Sequence, residues 1–376
     1  MSKHVLVLSP PFRPNVGGVE THLNDLVKDG VGLGINFTVV TYQPLVTKAR
    51  GKYIEYGKGY KIIRVPWPRF NLFLALERLP ALEFLYLFPG LFVVSFFYLL
   101  FSSDIKVIHA QGLVAGTVSV VLAKLFNLKV ILSTHSIYNF PDEGMYSSFV
   151  RAIFNACDHV LCLSHKSKEE VLKLGVNKSK VTTFKYWVDQ KVFRPKNKSF
   201  ARSKLGLPAR GFQCLFVGRL VEVKGVKELV SAARKSKSLS FVIVGDGPLS
   251  GFVQERAQTS HNIIFPGRVE NSDLPDYYNA CDILIVPSTH EEGFGRVILE
   301  ALSCGLPVVG ADRGAIPEAI NKEVGILIDV SPKEISSTLS KLSRDRSRLR
   351  RMSRKARVFS SENYDKSNIN MITMHY

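Results

Sequence analysis

The stretch Ile283-Leu284-Ile285-Val286-Pro287-Ser288-Thr289-His290-Glu291-Glu292-Gly293-Phe294-Gly295-Arg296-Val297-Ile298-Leu299-Glu300-Ala301 reads as strand, loop and helix in that order. Its unbroken apolar start suits a strand buried on both faces, and Pro287-Ser288 ends it. Gly293 and Gly295 flank Phe294, which permits a tight turn and close backbone approach. The helix that starts near Gly295 offers free N–H groups and the positive end of its dipole to a diphosphate. Glu292 then lies in the loop and Glu300 within the helix. Carboxylates accept hydrogen bonds, so next to a phosphate site they belong on hydroxyl-rich groups, for which a sugar and a ribose are the natural candidates.

Outward from this stretch, short β-rich apolar runs alternate with helical ones. They fall at 4–8, 37–41, 61–65, 106–109, 129–133 and 159–163, and again at 213–217, 240–244, 262–265, 283–286 and 308–310. Such alternation predicts parallel sheets flanked by helices, an α/β fold of two Rossmann-like, doubly wound domains facing across a cleft. A polar Lys/Asn/Ser stretch after Phe193-Arg194-Pro195 reads as the linker. The expected domains are 1–195 and 196–359, with a helix over 360–376 crossing back to the first. Val244-Gly245-Asp246-Gly247-Pro248 is not a nicotinamide fingerprint, because no third glycine follows at the required spacing and Pro248 interrupts the helix start.

A chain of 376 residues with 46% apolar and 22% charged side chains folds and exceeds one ordinary core. Fifty Lys and Arg against 32 Asp and Glu give a formal +18, which favours anionic partners. Basic residues interleaved with stacking aromatics are missing, as is Cys/His finger spacing, so nucleic acid is not an expected partner. Cys157, Cys162, Cys214, Cys281 and Cys304 are scattered and odd in number, which suits buried thiols in a reducing, cytoplasmic compartment. Val5 to Leu8 is too short for a signal-peptide core and reads as a first strand. No Asp-x-Asp pair occurs, so neither a metal nor another cofactor is expected. The residues leave the oligomeric state open. Between Lys341 and Arg357 stand nine Lys or Arg against one Asp, which reads as a solvated amphipathic helix.

Phe84 to Phe101 holds no formal charge. Pro89-Gly90 is expected to interrupt it, leaving Leu91 to Phe101, about 17 Å as a helix against a hydrocarbon core of about 30 Å. The reading is a surface-lying or core helix. Trp67, Phe70 and Phe73 precede it beside Arg64 and Arg69, an aromatic and basic mixture that suits an anionic membrane interface.

Glu292 and Glu300, with seven residues between them and Ala-Leu-Ser-Cys-Gly-Leu-Pro-Val-Val-Gly after them, resemble the signature of glycosyltransferase family 4. That resemblance implies a GT-B fold and transfer of a sugar from a nucleotide-diphosphate donor with retention at the anomeric carbon. It further implies front-face chemistry in which the leaving phosphate assists the acceptor hydroxyl and no enzymic nucleophile takes part. It implies that Glu292 contacts the donor sugar and Glu300 the ribose, with Gly293, Phe294 and Gly295 at the donor. Gly218-Arg219-Leu220-Val221-Glu222-Val223-Lys224-Gly225 matches the family's diphosphate segment, so that Gly218 lines the donor while Arg219 and Lys224 neutralise the leaving phosphate. Pro14-Asn15-Val16-Gly17-Gly18-Val19-Glu20 matches the glycine loop that places Gly17 and Gly18 against the diphosphate and acceptor. His135, in Ser-Thr-His-Ser, matches the histidine of the sugar pocket.

Where many relatives read Pro-Asn-Gly-Val-Asp, this chain has Lys185-Tyr186-Trp187-Val188-Asp189, an expected change in local geometry and in donor or acceptor preference. Around Gly17-Gly18 and Ser136 to Pro141 the chain also resembles the family's phosphatidylinositol N-acetylglucosaminyltransferases. The expected partners are therefore a nucleotide-sugar donor, a lipid-linked acceptor and an anionic membrane surface, with the protein peripheral on the cytoplasmic face. Same-fold rivals are an epimerase or phosphorylase-like enzyme, which donor turnover without acceptor would reveal. A non-catalytic scaffold is the other; it would not need the full set of Glu292, Glu300, Arg219 and Lys224.

Overall fold

The computed structural model describes residues 3–15, 17–45, 49–68, 76 and 80–376. The chain divides into two compact units, Met1–Tyr186 with Ser367–Tyr376, and Trp187–Lys366. The division falls before the polar linker, because residues 188–193 pack within the second unit: Val188 N–H donates to Tyr364 O at 3.1 Å and Ser303 Oγ to Phe193 O at 2.6 Å.

In the first unit, strands β1 (His4–Leu8), β2 (Asn36–Tyr42), β3 (Ile54–Gly57), β4 (Tyr60–Val65), β5 (Ile105–Gln111), β6 (Lys129–Thr134), β7 (His159–Cys162) and β8 (Val181–Thr183) form a sheet in the order β3-β4-β2-β1-β5-β6-β7-β8. All its neighbours are parallel except β3 and β4. The order reverses between β1 and β5, the place where an open parallel sheet leaves a crevice at its carboxyl ends. Helices α1 (Gly18–Gly32), α2 (Pro80–Leu100), α3 (Gly112–Phe126), α4 (Met145–Ala156) and α5 (His165–Lys173) connect the strands.

Helix α2 runs through Pro89-Gly90, so the expected interruption does not occur. Pro89 removes one donor from the ladder. Next to it the Tyr42 hydroxyl donates to Leu87 O and accepts from Leu91 N–H at 3.0 Å, standing where the Leu91–Leu87 helical bond would form. A Cβ on Gly90 would lie 2.6 Å from that hydroxyl oxygen. Leu87, Leu91 and Leu99 are buried against Leu6, Leu8, Val40 and Ile108. Burial of each such side chain contributes about 1.5–3 kcal/mol. Away from this contact Leu85 and Phe97 are 66% and 57% exposed, and Phe101, just past the end of the helix, is 87% exposed. By length and composition Leu82–Leu100 could cross a membrane. Arg64, expected at an interface, is instead buried, donating to Glu55, Lys52 O and Arg13 O, and Trp67 packs on Tyr42 and Tyr86. Arg69, Phe70, Phe73 and Val16 lie outside the described residues.

The second unit holds β9 (Phe212–Val217), β10 (Leu239–Val244), β11 (Ile263–Gly267), β12 (Ile283–Val286), β13 (Val308–Ala311) and β14 (Gly325–Ile328), all parallel, in the order β11-β10-β9-β12-β13-β14. Here the order reverses between β9 and β12. Its helices are α6 (Lys198–Lys204), α7 (Val226–Lys235), α8 (Ser250–Thr259), α9 (Leu274–Ala280), α10 (Arg296–Ser303), α11 (Ile316–Ala319), α12 (Pro332–Arg344) and α13 (Arg346–Asn363). Ser331 caps α12 by accepting from Glu334 N–H at 3.1 Å, and Asp345 caps α13 by accepting from Arg348 N–H at 2.9 Å.

The expected helix over 360–376 is broken. Helix α13 ends at Asn363 in the second unit, while the residues that rejoin the first form a 3₁₀ turn, Lys366–Ile369, and a short α14, Asn370–Thr373. Asn368 Nδ2 donates to Tyr186 O at 3.2 Å, and the Tyr376 hydroxyl meets His109 Nδ1 at 2.7 Å.

Candidate functional site

The loops after β9 and β12, on either side of the switch point in the second unit, are stitched together through their backbones. Thr289 N–H donates to Val223 O at 2.9 Å. Gly225 has φ +68, and a Cβ there would stand 1.8 Å from Pro287 O, so only glycine lets the two loops meet. Gly218 N–H donates to Val244 O at 3.1 Å, and Gly245 (φ +149) lies so close that its Cβ would fall 1.9 Å from Gly218 O. The Gly245–Gly247 turn therefore braces the β9 loop from its outer side.

This frame brings the Lys224 ammonium onto the Glu292 carboxylate, whose Oε1 also accepts from Ser288 Oγ at 2.6 Å. Burial by itself would raise the Glu292 carboxyl, but the Lys224 charge and the hydrogen bonds from Lys224 and Ser288 outweigh it and hold it below the ordinary carboxylate value. Ala315 N–H donates to Glu292 O at 2.9 Å and fixes the backbone. Arg219, on the same loop as Lys224, is exposed and makes no side-chain hydrogen bond or ion pair among the described residues. It is a cation on the loop that follows β9, without a counter-charge among the described residues. On the loop after β12, Gly295 (φ +73) is the N-cap of α10, and Phe294 turns inward to meet the Tyr364 ring edge-on at 5.9 Å.

Glu300 sits deeper. It is 3% exposed, accepts from the Tyr278 hydroxyl at 2.8 Å and from Arg296 Nε at 3.2 Å, and drives the buried Tyr278 phenol, already raised by desolvation, further above its ordinary value. Tyr278 and Ser288 had no signal in the sequence beyond Ser288 ending its strand.

In the first unit, Gly17 is the N-cap of α1 and Gly18 its first residue, and Thr21 donates from both N–H and Oγ1 to Gly17 O. His135 follows β6 and is buried, with Nε2 2.7 Å from Gln111 Oε1 and Nδ1 2.8 Å from the Tyr186 hydroxyl. The amide oxygen can only accept, so Nε2 carries the proton and Nδ1 accepts from Tyr186. Burial pushes this imidazole down to about 3, which keeps it neutral. His22 of α1 stacks on Tyr186 with ring centroids 4.2 Å apart. Gln111 and His22 escaped the sequence reading, whereas Tyr186 stood out as an unusual residue in its segment. His109 is a structural residue, held between Ser133 and Tyr376 at 2.7 Å each. Thus Arg219, Lys224, Glu292, the Gly293–Gly295 loop and Glu300 come together on the second unit's switch point, while Gly17, Gly18 and His135 belong to the first unit.

Residues 16–191 match the Glycosyltransferase Family 4 model and residues 197–359 the Glycosyl transferases group 1 model. The chain is 30% identical over 243 residues, 63% of its length, to the putative teichuronic acid biosynthesis glycosyltransferase TuaC of Bacillus subtilis, and the match spans only 60% of that relative. It is 28% identical over 90% of its length to a phosphatidylinositol N-acetylglucosaminyltransferase subunit of Homo sapiens, covering 68% of that protein. In fold it resembles sucrose-phosphate synthase from Thermosynechococcus elongatus, with TM-score 0.81 at 22% identity over 99% of this chain and 97% of the other. Anabaena HepE solved with UDP-glucose gives TM-score 0.78 at 20% identity over 99% and 98%. The two parallel-sheet units are the Rossmann-like halves of a GT-B fold, and the chain belongs to glycosyltransferase family 4.

Proposed function

We propose that the protein moves a hexosyl or N-acetylhexosaminyl group from a nucleotide-diphosphate donor to an acceptor hydroxyl, with retention at the anomeric carbon. The observation that carries this reading is that the loop of Arg219 and Lys224, on which Arg219 has no side-chain partner among the described residues, is joined at one switch point to the loop of Glu292 that leads into α10. In the reaction the bond between the anomeric carbon and the β-phosphate oxygen breaks. The acceptor oxygen bonds to the same face, and its proton passes to the departing phosphate. Arg219, Lys224 and the α10 N–H groups stabilise the charge that develops on that phosphate, so no divalent ion is required. Glu292 takes the sugar hydroxyls. Glu300 serves the ribose and is held for it by Tyr278 and Arg296. The neutral His135, anchored by Tyr186 and Gln111, orients the sugar, and the first unit holds the acceptor near Gly17 and Gly18.

The acceptor in this reading is lipid-linked and the protein peripheral on the cytoplasmic face of an anionic membrane. The apolar outer face of α2 supports it, together with the net charge of +18 and the five free, buried cysteines. Co-sedimentation with anionic and neutral vesicles at low and high salt tests the membrane part. Pelleting with anionic vesicles at low salt is expected; a supernatant protein that glycosylates a soluble acceptor would overturn it. Transfer by Glu292→Gln tests the enzymatic part, with a sharp loss expected and an unchanged rate contradicting it.

A further inference from the structure

The basic stretch after Lys341 is more than a solvated surface. Within α13 the arginines sort by partner. Arg357 Nη1 donates to Ser303 O at 3.0 Å and to Ser303 Oγ at 2.9 Å, closing the carboxyl end of α10. Lys355 pairs with Glu323 at 3.3 Å. Arg350 and Arg354 have no hydrogen bond or ion pair among the described residues. They stand one helical turn apart, in one stripe with Arg346 a turn earlier. Arg346 lies over the Phe212 ring at 5.5 Å and only loosely approaches Asp282, at 3.8 Å. Like charges at this spacing repel, and no acid interrupts the stripe.

The stripe does not face open water alone. It forms one wall of a cleft of about 770 Å³ whose other walls carry Lys196, Lys198 and Asp282. Asp282 is the only carboxylate among the lining residues and is already engaged by Arg202 at 2.8 Å and Lys198 at 2.9 Å. Lys196 is taken by Asp276 at 2.8 Å. The uncompensated charge therefore belongs to Arg350 and Arg354. Arg forks match phosphate oxygens in geometry and charge. The floor, from Cys304, Leu306, Pro307 and Leu349, is apolar and suits the organic body of an ester.

We propose that this cleft is a second anion site, built by α13 against the end of α10, that takes the phosphate of a phosphate ester. The site is separate from the loops after β9 and β12. Neither Arg219, Lys224 nor Glu292 lines it. The ester is either an anionic lipid headgroup or a soluble sugar phosphate, and the two are separable by experiment.

The full-length protein is titrated with fructose 1,6-bisphosphate by calorimetry and sedimented with phosphatidylcholine vesicles containing phosphatidylglycerol. Three forms are compared: wild type, Arg350→Gln with Arg354→Gln, and Arg348→Gln with Arg351→Gln. The last pair removes the same charge from another face of α13 and leaves the cleft intact. Loss of binding confined to the Arg350/Arg354 variant is expected. In the titration it identifies a soluble ester, and in the sedimentation a lipid headgroup. Equal losses in both variants would mean diffuse attraction to a basic surface, and unchanged binding in both arms would mean that no site exists; either result overturns the proposal.

Discussion

The Lys224 ammonium pairs with the Glu292 carboxylate across the point where the second sheet reverses its strand order, so the loops after β9 and β12 are joined by charge as well as by backbone. A Glu292→Gln protein keeps its shape and the acceptor for Ser288 but loses the charge that holds Lys224. Transfer should fall about 100-fold or more, the scale of one lost preorganised polar contact. Circular dichroism and a thermal scan check that the variant is folded, and a rate within about threefold of wild type would remove Glu292 from the site.

Arg219→Ala separates function from stability. The side chain has no partner among the described residues to lose, so the unfolding free energy should stay within about 0.5 kcal/mol of wild type while transfer drops. A variant destabilised well beyond that would assign Arg219 to the fold instead.

The close approach at Gly225 makes the opposite prediction. Gly225→Ala adds a Cβ 1.8 Å from Pro287 O at φ +68, and relief requires the two loops to part. A loss of more than about 2 kcal/mol in urea unfolding is expected, together with lost transfer. A variant as stable as wild type would show that the loops do not meet there.

Acid should weaken the first unit through its histidines. His109 and His135 are both pushed down to about 3 by burial, so between that value and the ordinary 6.5 the unfolded chain binds more protons than the folded one. Stability is then complete above about pH 6.5 and falls below it, by about 1.4 kcal/mol per histidine at about pH 5.5. Urea midpoints at the two pH values test this. Replacement of both residues by Gln should shrink the difference; a difference as large as in wild type would refute the assignment.

Much of this was legible because the deciding signals are local. Gly-Phe-Gly after an apolar run and before Arg296 can hardly be anything but a strand-to-helix turn, and the β9 and β12 loops carry their cations and carboxylates within a few residues of strand ends. Long-range relations were not legible. That Tyr278 would hold Glu300, or that Gln111 and His22 would surround His135, depends on segments brought together only by the sheet. The continuity of α2 is hidden for a related reason: Pro89-Gly90 reads locally as a break, yet the hydroxyl of Tyr42, 49 residues from Leu91, supplies what the ladder lacks. The short strands β3, β8 and β14 carry too weak a local pattern to be legible. β3 is half exposed with Glu55 and Gly57 in it, and β8 and β14 are edge strands of three and four residues.

The central claim, that the switch point of the second unit holds a nucleotide-diphosphate sugar, is tested most directly by a thermal-shift titration. Nucleotide sugars are titrated into wild type and Arg219→Ala in excess chelator. At about 100 times the dissociation constant, one nucleotide sugar should stabilise wild type by about 2.7 kcal/mol. The variant, melting at the same temperature when free, should show no shift at the same concentration. Equal shifts in the two proteins, or a wild type that no nucleotide sugar stabilises until a divalent ion is restored, would contradict the account.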